Sequence, residues 1–229
     1  MGTSKGYISP TRIPWRKAKA AVTSYVNNSS GGRTPGRAVS EYAAAKVADA
    51  SNYSVVGNGL AGAARIIGAA SNGNLNDYLR HINREDLIGK DAEELFFSIL
   101  SQNAEEGNSA ETQLLLDTIP QVLENLSIVN PDDLGKLNPQ DFMAEFLGEF
   151  ICNDFDRCFD EQIRRHVLPR EYDRISEELH GYIKNTIYES KNNLLREIGS
   201  FDKLENSDIV RGCIADAYRL FIDVYATEA

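Results

Sequence analysis

The sequence predicts an all-α protein: an irregular multi-helix bundle carrying an extended, flexible N-terminal tail. Three observations lead there. Apolar residues beyond Pro14 recur at three- and four-residue spacing rather than alternating, as they do on one face of a helix. Good helix formers fill these segments, and Asn, Ser, Gly and Pro cluster between them. The opening stretch, Met-Gly-Thr-Ser-Lys-Gly-Tyr-Ile-Ser-Pro-Thr-Arg-Ile-Pro, has no such period, and Pro10 and Pro14 keep it out of regular structure.

The elements follow in order. Pro14 suits the first turn of a helix that carries Trp15, Ala18, Val22 and Val26 and ends in the breaker run from Asn27 to Gly32. Thr34-Pro35 opens a second, with Val39, Tyr42, Ala43 and Val47 on one side, and an Ala-rich third is expected from about Leu60 to Ala70. Leu95, Phe96, Ile99 and Leu100 form the next stripe, and Gln102 to Ser109 a polar loop. Leu114, Leu115, Ile119, Val122, Leu123 and Leu126 form another, which Pro120 is expected to kink or restart. Phe142, Phe146, Phe150, Ile151, Phe155, Phe159 and Ile163 make the strongest stripe and the expected centre of the core. Tyr172, Ile175, Leu179, Tyr182, Ile183 and Ile187 mark a long helix after Pro169, and Ile209, Cys213, Ala217, Leu220, Phe221 and Val224 the last.

Composition narrows the function. At 229 residues, with 42% hydrophobic and 25% charged residues, the chain can bury a core without staples. Its net charge of −10 hides an asymmetry: residues 1 to 84 hold 11 Lys or Arg against 3 Asp or Glu, a balance of +8, and the remainder carries −18. That divides the chain into a tail (1–13), a basic Ala/Gly-rich helical segment (14–84) and an acidic helical domain (85–229), with 14–229 also readable as one domain. Cys152, Cys158 and Cys213 have no C-x-x-C spacing and read as buried thiols of a reducing compartment. No apolar run reaches the length of a membrane span and no signal peptide is legible, so the expected location is cytoplasmic, without a membrane.

Candidate chemistry is sparse. Gly57-Asn-Gly59-Leu-Ala-Gly62 satisfies G-x-G-x-x-G, but the strand and the βαβ unit that give that spacing its meaning are missing, so a flexible helix connection is the better reading. Glu177 and His180 have E-x-x-H spacing, and Glu145 and Glu149 could add carboxylates. A two-metal bundle needs a second such unit, and His81 and His166 lack the partner. Asp154, Asp156, Asp160 and Glu161 beside Arg157, Arg164 and Arg165 read as surface pairs such as Asp160 with Arg164. No catalytic residue, metal or cofactor is therefore expected, and the chain reads as a non-enzyme. Arg12, Arg16, Lys17 and Lys19, interleaved with Tyr7, Trp15 and Tyr25, could contact a nucleic acid or a protein partner.

The Met-Gly-Thr-Ser start, the Tyr7 to Pro10 segment, the Ile13-Pro14-Trp15 entry and Gly31-Gly-Arg-Thr-Pro-Gly-Arg37 ahead of an Ala-rich helix together resemble the QatB family of the bacterial Qat anti-phage defence system. The resemblance implies neighbours: an ATPase, a QueC-like protein similar to enzymes that make a deazapurine nitrile, and a TatD-like nuclease. In that setting Gly2, exposed by removal of Met1, becomes a candidate for conjugation to a deazapurine group by the QueC-like partner. Thr3, Ser4, Tyr7, Pro10, Arg12, Pro14, Trp15 and Arg16 would then contact that partner. The alternative is a nucleic-acid-binding adaptor that uses the basic N-terminal segment.

Overall fold

A computed structural model describes residues 12–28, 34–49, 53–104 and 110–228, and among these every regular element is helical. The α helices are α1 (Ile13–Asn28), α2 (Gly36–Ala48), α3 (Ser54–Ser71), α4 (Leu75–His81), α5 (Ala92–Ala104), α6 (Ala110–Asn125), α7 (Pro131–Leu134), α8 (Pro139–His166), α9 (Pro169–Leu194), α10 (Phe201–Leu204) and α11 (Ser207–Glu228). A 3-10 turn at Glu85–Leu87 follows α4. The all-α expectation holds; of the tail expected over residues 1–13, residues 1–11 lie outside the described residues and Ile13 is already the first residue of α1.

Two compact units are drawn from discontinuous parts of the chain. The first takes the described residues of Met1–Ser51, Ile151–Glu189 and Ala215–Ala229; the second takes Asn52–Phe150 and Ser190–Ile214. The change of charge at residue 84 falls inside the second unit.

In the first unit α1 and α2 pack as neighbours, the start of one beside the end of the other. Pro14 occupies the first turn of α1, where its missing N–H has no partner to lose. The apolar face of α1 is buried through Trp15, Ala18, Ala21, Val22, Tyr25 and Val26. Along α2 the buried line runs through Val39, Tyr42 and Ala43, but Lys46 continues it and Val47 faces outward at 38% exposure. The expected apolar position is thus held by a cation, for a reason given below. Phe155, Phe159 and Ile163 of α8, Ile175, Leu179, Ile183 and Ile187 of α9, and Ala217, Tyr218 and Phe221 of α11 complete this core.

The second unit is organised around α3, which touches α4, α5, α6, α7 and α10. A helix with so many neighbours must be narrow and apolar over most of its surface, and α3 buries Val56, Leu60, Ile66 and Ile67 among Ala and Gly, leaving Asn58 and Arg65 exposed. The G-x-G-x-x-G stretch lies wholly inside this helix, so it is neither a phosphate loop nor the flexible connection the sequence suggested. Gly59 has a packing role: a Cβ there would overlap Cδ2 of Leu115 and stand 3.3 Å from Cδ2 of Leu100. Gly73, at φ +68°, ends the helix, its N–H bonding the Ala70 carbonyl at 3.0 Å.

Pro120 does not restart its helix, since α6 runs unbroken through it. Caps start the later helices: Asp91 accepts from the Glu94 N–H at 2.7 Å, and Asn138 accepts from the Gln140 and Asp141 N–H groups at 2.9 and 3.2 Å. The phenylalanine stripe is buried along its whole length, with Phe142, Phe146 and Phe150 in the second unit and Phe155 and Phe159 in the first.

These contacts predict opposite signs for two glycine substitutions in one helix. Gly59→Ala forces Leu115 aside and is expected to destabilise by about 1–3 kcal/mol. Gly68→Ala meets nothing within 4 Å and is expected to gain up to about 0.5–1 kcal/mol from reduced unfolded-chain entropy. Urea midpoints of the two variants check this; equal shifts of the same sign would contradict the packing assigned to Gly59.

Candidate functional site

Of the residues expected to meet a partner, Gly2, Thr3, Ser4, Tyr7 and Pro10 lie outside the described residues. The others sit in or beside the first turn of α1, where helical geometry divides them. Arg12 and Arg16 face outward, Pro14 is half-buried, and Trp15 is fully enclosed. Trp15 is an anchor: its indole N–H donates to Oδ2 of Asp49 at 2.6 Å, and its ring lies edge-on to Tyr42 and tilted against Phe159, with centroids 6.3 Å away in both cases. Arg12 reaches the other oxygen of Asp49 at 3.3 Å.

The rest of α1 is held with similar care. The Gln162 side chain donates to the Lys19 carbonyl at 2.8 Å and to the Thr23 hydroxyl at 2.7 Å. Tyr25 donates to Glu178 at 2.6 Å, and Arg174 donates to the same carboxylate at 2.5 Å. Burial, then Glu178, pushes the Tyr25 phenol up, while the Tyr25 hydrogen bond and Arg174 hold Glu178 below the usual carboxylate range.

Beneath Trp15 lies a charge network that sequence reasoning missed. Asp154 is completely buried, and its two oxygens receive Lys46 Nζ at 2.6 Å, Arg157 Nη2 at 2.7 Å, Tyr42 Oη at 2.5 Å and Tyr218 Oη at 3.0 Å. Burial pushes the Asp154 pKa up, but Lys46 and Arg157 outweigh it, and the carboxyl titrates below its ordinary value. Burial and then Asp154 push the Tyr42 phenol and the Cys158 thiol up. A carboxylate so enclosed and so weakly basic is a poor proton acceptor, which suits it to clamping α2, α8 and α11 together. By sequence, Asp154 groups with surface acids. The available signal is its spacing: four residues after Phe150 and three after Ile151, it falls on the buried stripe.

The remaining candidates have ordinary partners. His180 Nε2 pairs with Asp156 at 2.9 Å, whereas Glu145 and Glu149 both accept from the Asn125 side-chain amide, at 2.7 and 2.6 Å. Asp160 takes Arg164 at 2.8 Å and also Tyr172. Among the described residues no group of three or more His, Cys, Asp or Glu is placed to hold a metal ion, and no helix is long and apolar enough to cross a membrane. A groove of about 990 Å³ in the second unit lies among α4, α7 and the Leu87–Asp91 stretch. Its rim cations Arg80, Lys90 and Lys136 are engaged by Asp77, Glu94 and Asp133.

Together these features describe a helical protein whose first helix is fixed firmly to its own unit. A family model described as Qat anti-phage system associated protein QatB matches residues 49–221. The chain belongs to that family. The match begins beyond the N-terminal residues that carried the resemblance, and no curated protein or solved structure matches the chain.

The network yields a stability prediction. Asp154→Asn leaves Lys46 and Arg157 without their buried counter-charge and is expected to cost about 3–5 kcal/mol, much of it recovered when Lys46→Met is added. The Asp154 pKa is lower folded than unfolded, so its stabilisation is complete above the unfolded value of about 3.9 and is lost as pH falls through the folded value. Urea midpoints between pH 2 and 7 should therefore drop at the acid end in the parent and show a shallower drop in the double variant. Parallel pH profiles would contradict this.

Proposed function

We propose that this QatB-family chain is a non-enzymatic component of the cytoplasmic Qat defence machinery and presents its N-terminal Gly2 to the system's QueC-like protein for conjugation. The observation that carries the reading is the anchoring of α1. Trp15 is enclosed and hydrogen-bonded at the first turn, so a tail leaving that turn starts from a fixed base. Even fully extended, the stretch from Gly2 to Ile13 spans at most about 40 Å, enough to enter a partner's active-site channel.

The chemistry asks little of this chain. An enzyme that spends ATP to convert a carboxylate into an acyl adenylate, releasing pyrophosphate, needs an amine to finish the reaction. The Gly2 α-amine, with an ordinary pKa of about 8, is more often unprotonated at neutral pH than any lysine. Its nitrogen would attack the acyl carbon, AMP would leave, and the amine would lose a proton as the amide forms. Thr3, Ser4, Tyr7 and Pro10 would line the approach.

Intact-mass and N-terminal-peptide mass spectrometry test this on protein produced alone and with its genomic neighbours. The expected result is a neighbour-dependent mass increase confined to the peptide beginning at Gly2, abolished by Gly2→Pro without a change in melting temperature. An unmodified Gly2 in the presence of the QueC-like protein, or an adduct located on a side chain rather than on the residue-2 amine, would overturn the reading.

A further inference from the structure

The outward face of α1 differs from the other charged surfaces of the chain. Ile13, Arg16, Lys17 and Ala20 fall on one side of the helix and are all exposed, with Ile13 at 61%. Elsewhere many exposed cations are engaged, as Arg65 is with Glu205, Arg80 with Asp77, Arg164 with Asp160, Arg174 with Glu178 and Arg219 with Asp216; Arg37, Arg170, Arg196 and Lys203 are exposed without a carboxylate partner among the described residues, but they are scattered singly. Arg16 and Lys17 have no carboxylate partner among the described residues, and the first turn of α1 contains no acidic residue. In a chain of net charge −10, two adjacent uncompensated cations beside a large exposed apolar side chain are a local inversion of the overall surface.

We infer that this face is a docking ledge for an acidic protein surface, one that offers carboxylates to Arg16 and Lys17 and an apolar recess to Ile13. The inference rests on the reading that the N-terminal region is engaged by a protein partner, and it moves the contact from Trp15, which is enclosed, to the three side chains beside it. Two physical points favour a protein over a nucleic acid. Ile13 gains nothing from a phosphate backbone, whereas an apolar recess on a protein would remove its side chain from water. Two cations also make a small footprint for duplex binding, which collects its affinity from many phosphates. The ledge is rigid because the opposite face of α1 is pinned by Asp49, Gln162 and Glu178, so docking orders little new structure. Docking there would hold the partner at the root of the tail and raise the effective concentration of Gly2 at its active site.

The test uses the full chain and the QueC-like protein of the same system, with affinity capture measured over a range of salt concentration. Arg16→Glu/Lys17→Glu and, separately, Ile13→Asp are compared with Arg170→Glu/Arg196→Glu, which changes net charge as much as the first pair but lies elsewhere. Asp at the first helical position favours the helix dipole, so loss of capture by Ile13→Asp cannot be assigned to loss of the helix. The expected result is capture at least about tenfold weaker for both ledge variants, with the control and Gly2→Pro captured like the parent. Any one of four results would overturn the ledge: failure to capture the parent, capture of the ledge variants at parental strength, release by nuclease, or loss only of self-association in the variants. Ledge-dependent capture without any Gly2 adduct would support the ledge and reject the conjugation reading. An undiminished adduct on the ledge variants would do the reverse.

Discussion

The buried carboxylate of Asp154 is the constraint on which the first unit depends. Removing a charge from water costs several kcal/mol, and the structure offsets that cost with two cations and two phenolic hydroxyls drawn from three separate helices. Those donors can all reach Asp154 only when α2, α8 and α11 are in register, so the network specifies an arrangement as well as adding stability. Tyr42 joins the network to α1. Its hydroxyl serves Asp154, while its ring takes edge contacts from Trp15, Phe155, Phe159 and Tyr218. Through Tyr42 the charge network reaches α1, and through α1 it fixes the point from which the N-terminal segment departs.

This geometry changes the meaning of the N-terminal residues. A tryptophan next to a tail looks like an exposed binding group, yet Trp15 faces the core and its N–H is spent on Asp49. The outward residues of the same helix, Ile13, Arg16 and Lys17, are the ones left with uncommitted chemistry. One helix can therefore be both an anchor and a contact surface, because its faces are separated by helical rotation rather than by sequence distance. The family match at residues 49–221 covers the whole of the second unit and part of the first. It places the chain in the Qat system without reaching the segment on which the proposed conjugation turns.

Much of the fold was legible because helical period is a strong signal when apolar residues are large. The run from Phe142 to Ile163 and the stripe from Leu114 to Leu123 are buried as their spacing required. Smaller residues misled. The third helix is expected from about Leu60 because Gly57–Gly62 reads as a connection, whereas the tight approach of Leu100 and Leu115 makes glycine the residue that fits at position 59 inside α3. Pro120 was tolerated because its neighbours bury the helix on both sides of it: Thr118, Ile119, Val122 and Leu123 are all enclosed. Lys46 and Asp154 are not legible as a pair, since they lie far apart in the sequence and the spacing of neither names the other. Hydrophobicity alone assigns the core position to Val47, yet Val47 faces outward and its neighbour Lys46 is buried: pairing rather than apolarity decides which of the two goes inside.

If α1 is an integral part of its unit, native-state hydrogen exchange read by mass spectrometry shows it directly. Amides of Ile13–Asn28 should be protected nearly as strongly as those of α8, and Asp154→Asn should reduce protection in both helices together. Exchange of α1 within seconds in the parent protein, while α8 remains protected, would show a helix free of the charge network and would contradict its role as an anchor.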